Sequence, residues 1–206
     1  MEQIGMIIAA AILAFLWGAF FFKEETQNRR WLFSSVQAML CIGLMCLFER
    51  YQYHPVKSFR CLVLVLFMIS LGTIDARQRK LPNRILAIMF AVRTAFLSVE
   101  CMAAKEYWME LILSALIGMA LIGIFFFIVW VLSRKGLGAG DVKLMAVLGY
   151  WVGFSVAIGI ILIALILTVV VGLVQVARKK MSLRDALPMG PFLAVGTIVA
   201  LALGIY

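Results

Sequence analysis

The sequence predicts an all-α, polytopic membrane bundle, and three observations carry that expectation. Hydrophobic residues make up 65% of the 206-residue chain, more apolar surface than a soluble domain of this size can bury. The apolar residues come in long continuous runs, where a membrane β-barrel would show short alternating segments. Charged residues, 14% of the chain, cluster between those runs.

Eight apolar segments can be marked, at roughly 4–22, 31–48, 59–75, 84–99, 107–132, 142–152, 154–177 and 190–206. Most approach the roughly 20 residues needed to cross the hydrocarbon core. The first follows Met1-Glu2-Gln3 without a basic leader region or an A-x-A-like site, so it reads as a retained span. The third closes on Asp75. Pro82 is expected to stop that helix from running on, and Asn83 to cap the next. The sixth segment is short and would reach only about 16 Å as a helix. It reads as a half-span, or as one member of a tight pair with the seventh around Gly149 and Gly153.

Loop charge arbitrates between seven and eight segments. With eight, one side collects Lys23, Arg29, Arg30, Arg77, Arg79, Lys80, Arg84, Arg134, Lys135, Lys143, Arg178, Lys179, Lys180 and Arg184. The other side holds only Arg50, Lys57, Arg60 and Lys105. That bias fits both termini outside and the basic loops in the cytoplasm. With seven, the 178–189 cluster would change side and the bias would nearly vanish. Arg93 lies within the fourth segment, expected to pair in the bundle or to snorkel. The net charge of +9 is therefore a membrane-orientation signal rather than a nucleic-acid footprint. The chain reads as one membrane domain, with the two spans of residues 1–57 peripheral to residues 58–206.

Cys41, Cys46, Cys61 and Cys101 form no Cys-x-x-Cys pair and are expected as buried thiols. His54 sits alone in a polar loop, without the partners a metal site needs. The glutamates, Glu100 and Glu110 among them, fall at segment ends and read as surface charges. Asp185 reads as a loop charge beside Arg184.

Asp75 and Asp141 remain. Asp75 reads either as an interfacial charge balanced by Arg77 and Arg79 or as a reactive carboxyl. Asp141 follows Gly136, Gly138 and Gly140, which suits a helix N-cap but also a close backbone approach. The two lie 66 residues apart, so only tertiary packing can join them. The predicted topology puts both on the cytoplasmic face. Two carboxyls held a few Å apart resist double ionisation and share a proton. The ionised member can take a proton from water while the protonated one polarises a carbonyl. Such chemistry needs no metal and no cofactor.

Three segments carry a resemblance. Gly138-Ala139-Gly140-Asp141 fits the G-x-G-D signature of intramembrane aspartic proteases, and its continuation to Gly149 is similar to the prepilin peptidases. Asp75-Ala76-Arg77-Gln78-Arg79-Lys80-Leu81-Pro82-Asn83 matches their D-x-R-x-R-x-I-P-N segment, with Leu81 for Ile. Leu187-Pro188-Met189-Gly190-Pro191-Phe192-Leu193-Ala194-Val195-Gly196 is close to their P-x-G-P-F-L-A-x-G. The resemblance covers roughly residues 58–206. It implies that Asp75 and Asp141 hold the catalytic positions and that the substrate is a prepilin or pseudopilin, cut at its basic leader. Larger members carry paired Cys-x-x-Cys motifs and N-methylate the product. This chain lacks that loop, so methylation is not implied.

Around the two aspartates, Lys143 reads as a tuning residue or as an interfacial cation. Pro188, Gly190 and Pro191 read as a turn that brings the last helix close to the site. Arg77, Arg79 and Lys80 would repel a basic leader, so either anionic lipid screens them or the leader docks elsewhere, for example near Glu24 and Glu25. Two competitors stand: a G-x-G-D protease for other membrane helices, and a transporter using Asp141 as a cation site. The second and third segments argue against the first, and the transporter has no need of a second aspartate.

Overall fold

The computed structural model describes residues 2–21, 27–133, 137–179 and 187–205. They form eight helices and, among the described residues, no strand: α1 (Glu2–Phe21), α2 (Gln27–Arg50), α3 (Pro55–Gln78), α4 (Asn83–Ala103), α5 (Trp108–Leu132), α6 (Ala139–Val152), α7 (Phe154–Ala177) and α8 (Gly190–Ala202). Six are long and apolar enough to cross a membrane, α6 and α8 being the exceptions. The chain is a polytopic helix bundle, as its apolar runs require.

Two short helices occur where one was expected. The eighth apolar segment runs to the C-terminus, yet α8 stops at Ala202. Gly204, at φ +69°, ends it. The Gly204 N–H donates to Leu201 O (3.2 Å) and the Ile205 N–H to Ala200 O (3.1 Å), which satisfies carbonyls that the helix leaves open.

The chain divides into two compact units, Met1–Ser70 and Leu71–Tyr206, the division falling inside α3. In the first unit α1 packs on α2. A Cβ at Gly18 would lie 2.8 Å from Ser34 Oγ, so only glycine allows that approach. Trp17 meets Phe67 edge-on and donates its Nε1–H to Ser70 Oγ at 2.9 Å. Cys41 and Cys61 are buried as expected, but Cys46 is exposed and Cys101 half-exposed, because they lie on outward faces of α2 and α4. His54 is exposed in the loop before α3.

In the second unit the short helix α6 is the buried axis. Leu144, Met145, Leu148 and Trp151 have no exposed surface. Gly149 was expected to serve a pair with α7, but its close contact is with Gly118 of α5, where a Cβ on either would run into the other's backbone carbonyl. Further along the same seam, a Cβ at Gly123 would lie 3.1 Å from Ala146 Cβ. Gly153 (φ +80°) is the single-residue turn from α6 into α7, a backbone conformation that favours glycine.

The inner end of α6 is fastened to α4. Trp151 Nε1–H donates to Met89 O (3.1 Å), and Tyr150 Oη shares a hydrogen bond with Thr94 Oγ1 (3.2 Å). Arg93, buried rather than snorkelling, donates through Nε to Tyr150 O (3.2 Å). Its NH1 pairs with Glu100 Oε2 at 2.8 Å. Glu100 is thus a buried ion-pair partner and not the surface charge expected of it. Seven residues are close to two helical turns, so Arg93 and Glu100 share one face of α4.

Removing one member of a buried pair leaves the other charge unpaired. Glu100→Leu is expected to destabilise the chain by about 3–5 kcal/mol, read as unfolding in detergent. The double variant Arg93→Met/Glu100→Leu is expected to lose clearly less.

Candidate active site

Three chain segments meet at one end of the second unit. Asp75 comes from the last turn of α3, which ends at Gln78 rather than at Pro82. Arg79, at φ +50°, takes the left-handed conformation that closes the helix, while its N–H still donates to Asp75 O (2.8 Å). Pro82 itself occupies the N-cap of α4, with extended backbone (φ −71°, ψ 121°), and its carbonyl accepts from the Ile85 N–H at 3.1 Å. Asn83 is the first residue of α4 and makes no side-chain cap. Its Oδ1 instead accepts from Lys143 Nζ at 3.0 Å, tying the start of α4 to α6. The capping role expected of Asn83 is replaced by this link.

Gly138 is the N-cap of α6. Asp141 is therefore not the cap but a residue of the first turn, where the helix dipole favours a carboxylate. Its N–H donates to Gly138 O at 3.0 Å. A Cβ on Gly138 would fall 2.8 Å from Asp141 Oδ2, so glycine leaves room for the carboxyl to fold back. A Cβ on Gly140 would come 3.1 Å from Leu81 Cβ, which brings the Asp141 turn against the Leu81-Pro82-Asn83 segment. Gly136, Asp185, Glu24 and Glu25 lie outside the described residues.

The third segment is Pro188-Met189-Gly190-Pro191. Gly190 opens α8, and its N–H donates to Asp75 Oδ2 at 2.8 Å. An N-terminal helix N–H has no acceptor within its own helix, and Asp75 supplies one. Pro191, the next residue, needs no such acceptor. The approach is close: a Cβ on Gly190 would sit 2.8 Å from Asp75 Cβ. On α3, a Cβ on Gly72 would meet Gly190 O at 3.1 Å.

Asp75 and Asp141 line the same cleft. One chamber, of about 380 Å³, is bounded by both aspartates with Arg79, Lys80, Asn83 and Lys143. An adjoining chamber of about 250 Å³ keeps both aspartates and Arg79 and adds Leu137, Leu165, Thr168, Leu187 and Pro188. Arg77 is exposed and lines neither chamber. Leu165 and Thr168 went unnoticed in the sequence, since nothing distinguishes them within the apolar run of α7. Asp75 is 5% exposed. Asp141 is partly buried and lies ahead of the apolar run 142–152, outside the six candidate spans. Burial, with the neighbouring Asp75 carboxyl second, pushes the Asp141 carboxyl up to about 6, against a hydrogen bond from the Gly138 backbone that lowers it. The pair offers general acid–base chemistry: one carboxyl that retains a proton unusually high and a second beside it.

Two predictions follow from this geometry. A raised carboxyl pKa means that folding favours the protonated form. That contribution is complete below the ordinary carboxyl value of about 4 and is lost as pH rises through about 6. Asp141→Asn is therefore expected to be more thermostable than the unsubstituted chain above pH 6, with the advantage developing between those values, as melting curves across pH would show. Gly190→Ala forces its Cβ against Asp75. It is expected to cost about 1–3 kcal/mol, measured by unfolding in detergent.

Comparison with known proteins places the chain in a family. The family described as "Type IV leader peptidase family" matches residues 62–173, more than half of the chain. A "Prepilin leader peptidase/N-methyltransferase" from Xanthomonas campestris pv. campestris is 30% identical over 145 residues, covering 68% of this chain and 48% of that protein. A protein of the same description from Burkholderia pseudomallei is 43% identical over 70 residues, 34% of this chain and 23% of its own. Another, from Bacillus subtilis, is 25% identical over 148 residues, 72% of this chain and 57% of its own. The chain thus spans about half the length of the curated relatives it matches. No solved structure matches. The match over most of α3 to α7, together with the described helices, establishes that this multi-pass membrane chain belongs to the type IV leader peptidase family.

Proposed function

We propose that the chain is an intramembrane aspartic endopeptidase that removes the basic leader from type IV prepilin or pseudopilin precursors. The observation that carries the reading is the meeting of Asp75 and Asp141, 66 residues apart in sequence, in one cleft where burial first and the Asp75 carboxyl second raise Asp141. Asp141 is the acid: with its pKa near 6 it holds the proton that polarises the scissile carbonyl. Asp75, oriented by the Gly190 N–H, is the base that takes a proton from the attacking water. Water adds to the carbonyl carbon, and collapse of the resulting gem-diol expels the new amine with a proton returned from the pair. Gly138, Gly140, Pro82, Asn83, Lys143, Pro188, Gly190 and Pro191 shape and brace the cleft. A transporter using Asp141 as a cation site would have no need of the second carboxyl that shares its cleft.

The proposed cleft opens on the cytoplasmic face of the cell membrane, with both termini outside, a reading that the excess of basic loop residues on one side supports. Arg79 and Lys80 beside the aspartates disfavour a basic leader in the cleft itself. The leader is then held outside it while the scissile bond enters. Catalysis is assigned to residues 58–206 in this reading, and residues 1–57 supply two membrane helices to which it gives no catalytic part. The relatives are named as N-methyltransferases as well. This chain lacks the paired Cys-x-x-Cys segment, and peptidase action alone is proposed for it.

Co-expression with candidate prepilins, followed by mass spectrometry of the mature N-terminus, tests the reading. Cleavage after a basic leader, without an added methyl group, is expected. Asp75→Asn and Asp141→Asn are each expected to abolish cleavage while the protein still accumulates folded in membranes. Full cleavage by either variant would sink the dyad. In the purified enzyme, kcat/KM is expected to fall as pH rises through about 6, the titration of Asp141 in the free enzyme.

A further inference from the structure

Asp141 sits at one end of a helix whose other end is buried in protein. α6 has 14 residues, and Tyr150, Trp151 and Val152 in its last turn are all buried. The last carbonyls of a helix lack donors within it, and a buried end must borrow them. Arg93 lends one, from Nε to Tyr150 O at 3.2 Å, while its NH1 is held by Glu100 Oε2 at 2.8 Å. A cation there also complements the negative end of the helix dipole. Only a guanidinium presents a rigid fork that serves both acceptors at once.

We propose that Arg93, oriented by Glu100, is a positioning residue that sets how far α6 projects and therefore where Asp141 stands in the cleft. The proposal rests on the peptidase reading for its catalytic consequence, but not for its geometry. From Tyr150 to Asp141 is nine residues, about 14 Å of rigid helix at 1.5 Å per residue. A slip of one residue would move the carboxyl by roughly 1.5 Å, and misplacements of about 1 Å can cost about 100-fold in rate. Sideways motion is already blocked by the contact between Gly118 and Gly149. Sliding along the axis is opposed at the inner end by the Trp151–Met89 and Tyr150–Thr94 hydrogen bonds and by Arg93, which among these is the link that takes an open carbonyl of the helix itself. At the outer end the exposed Lys143–Asn83 bond and the packing of Gly140 on Leu81 act against the same motion. Arg93 and Glu100 thus lie deep in the protein on α4, line neither chamber of the cleft, and act through α6.

The test is the full chain in liposomes, comparing the original sequence with Arg93→Met/Glu100→Met, which removes both charges together. Two readings are taken on folded protein. One is the rate of disulfide formation between Leu81→Cys and Gly140→Cys, in a background with the four native cysteines replaced by alanine. Leu81 Cβ lies 3.1 Å from the Cβ position of residue 140, so this pair reports the register of α6. The other is kcat and KM on a prepilin that the original chain cleaves. The double variant is expected to crosslink several-fold more slowly and to lose about tenfold or more in kcat, with KM within about twofold. Unchanged crosslinking, or unchanged kcat, would overturn the proposal. If the double variant does not accumulate folded, Arg93→Lys, which keeps the charge but not the fork, is read by the same criteria. If the original chain cleaves no prepilin, the peptidase reading fails, and the crosslinking arm still decides the geometric claim.

Discussion

A helix too short to cross the membrane, whose inner end is buried, must have that end satisfied by protein. α6 is such a helix, and the second unit is organised around that requirement. On its side, Gly118 and Gly149 bring α5 against it so closely that no side chain fits between. At its inner end, α4 supplies Arg93, Thr94 and the Met89 carbonyl. Its outer end is free to open onto a cleft, and that is where Asp141 stands. The carboxyl needs no donor from another helix, because Gly138 leaves it space to turn back on its own N-terminus.

Asp75 solves the complementary problem. It lies at the end of a long apolar helix and needs a donor, and α8 has an N-terminus that needs an acceptor. The 2.8 Å bond from Gly190 N–H satisfies both. The same bond brings the Pro188-Met189-Gly190-Pro191 turn into the wall of the cleft. Each aspartate is thus placed by a helix end, one by its own and one by another's. Their convergence adds the Asp75 charge to the burial that raises the Asp141 carboxyl.

Much of this was legible in the sequence. The long apolar runs marked the helices, because a chain 65% hydrophobic in continuous stretches has few other solutions. Pro82 and the glycines around Asp141 marked the two places where the chain must turn. Partners were less legible. Glu100 looked like a segment-end charge, since only the i, i+7 relation to Arg93 distinguishes it, and that relation matters only once the face is known to be inward. Asn83 looked like a cap because its identity suits one, but Pro82 took the cap and freed Asn83 for Lys143. Gly149 promised a close approach without saying to which helix. The stop at Gly204 was a one-residue signal inside an apolar run. For Glu100, Asn83 and Gly149 the tertiary partner was the missing term.

The central claim is that Asp75 and Asp141 feel one another's charge. Asp residues labelled with 13C at the carboxyl, followed by NMR across pH in the full chain, read it most directly. The account predicts that Asp141 titrates near 6. It also predicts that Asp75→Asn moves this titration downward, leaving only the part due to burial. An Asp141 titration that is the same with and without Asp75, or that lies at the ordinary value of about 4 in the unsubstituted chain, would contradict it.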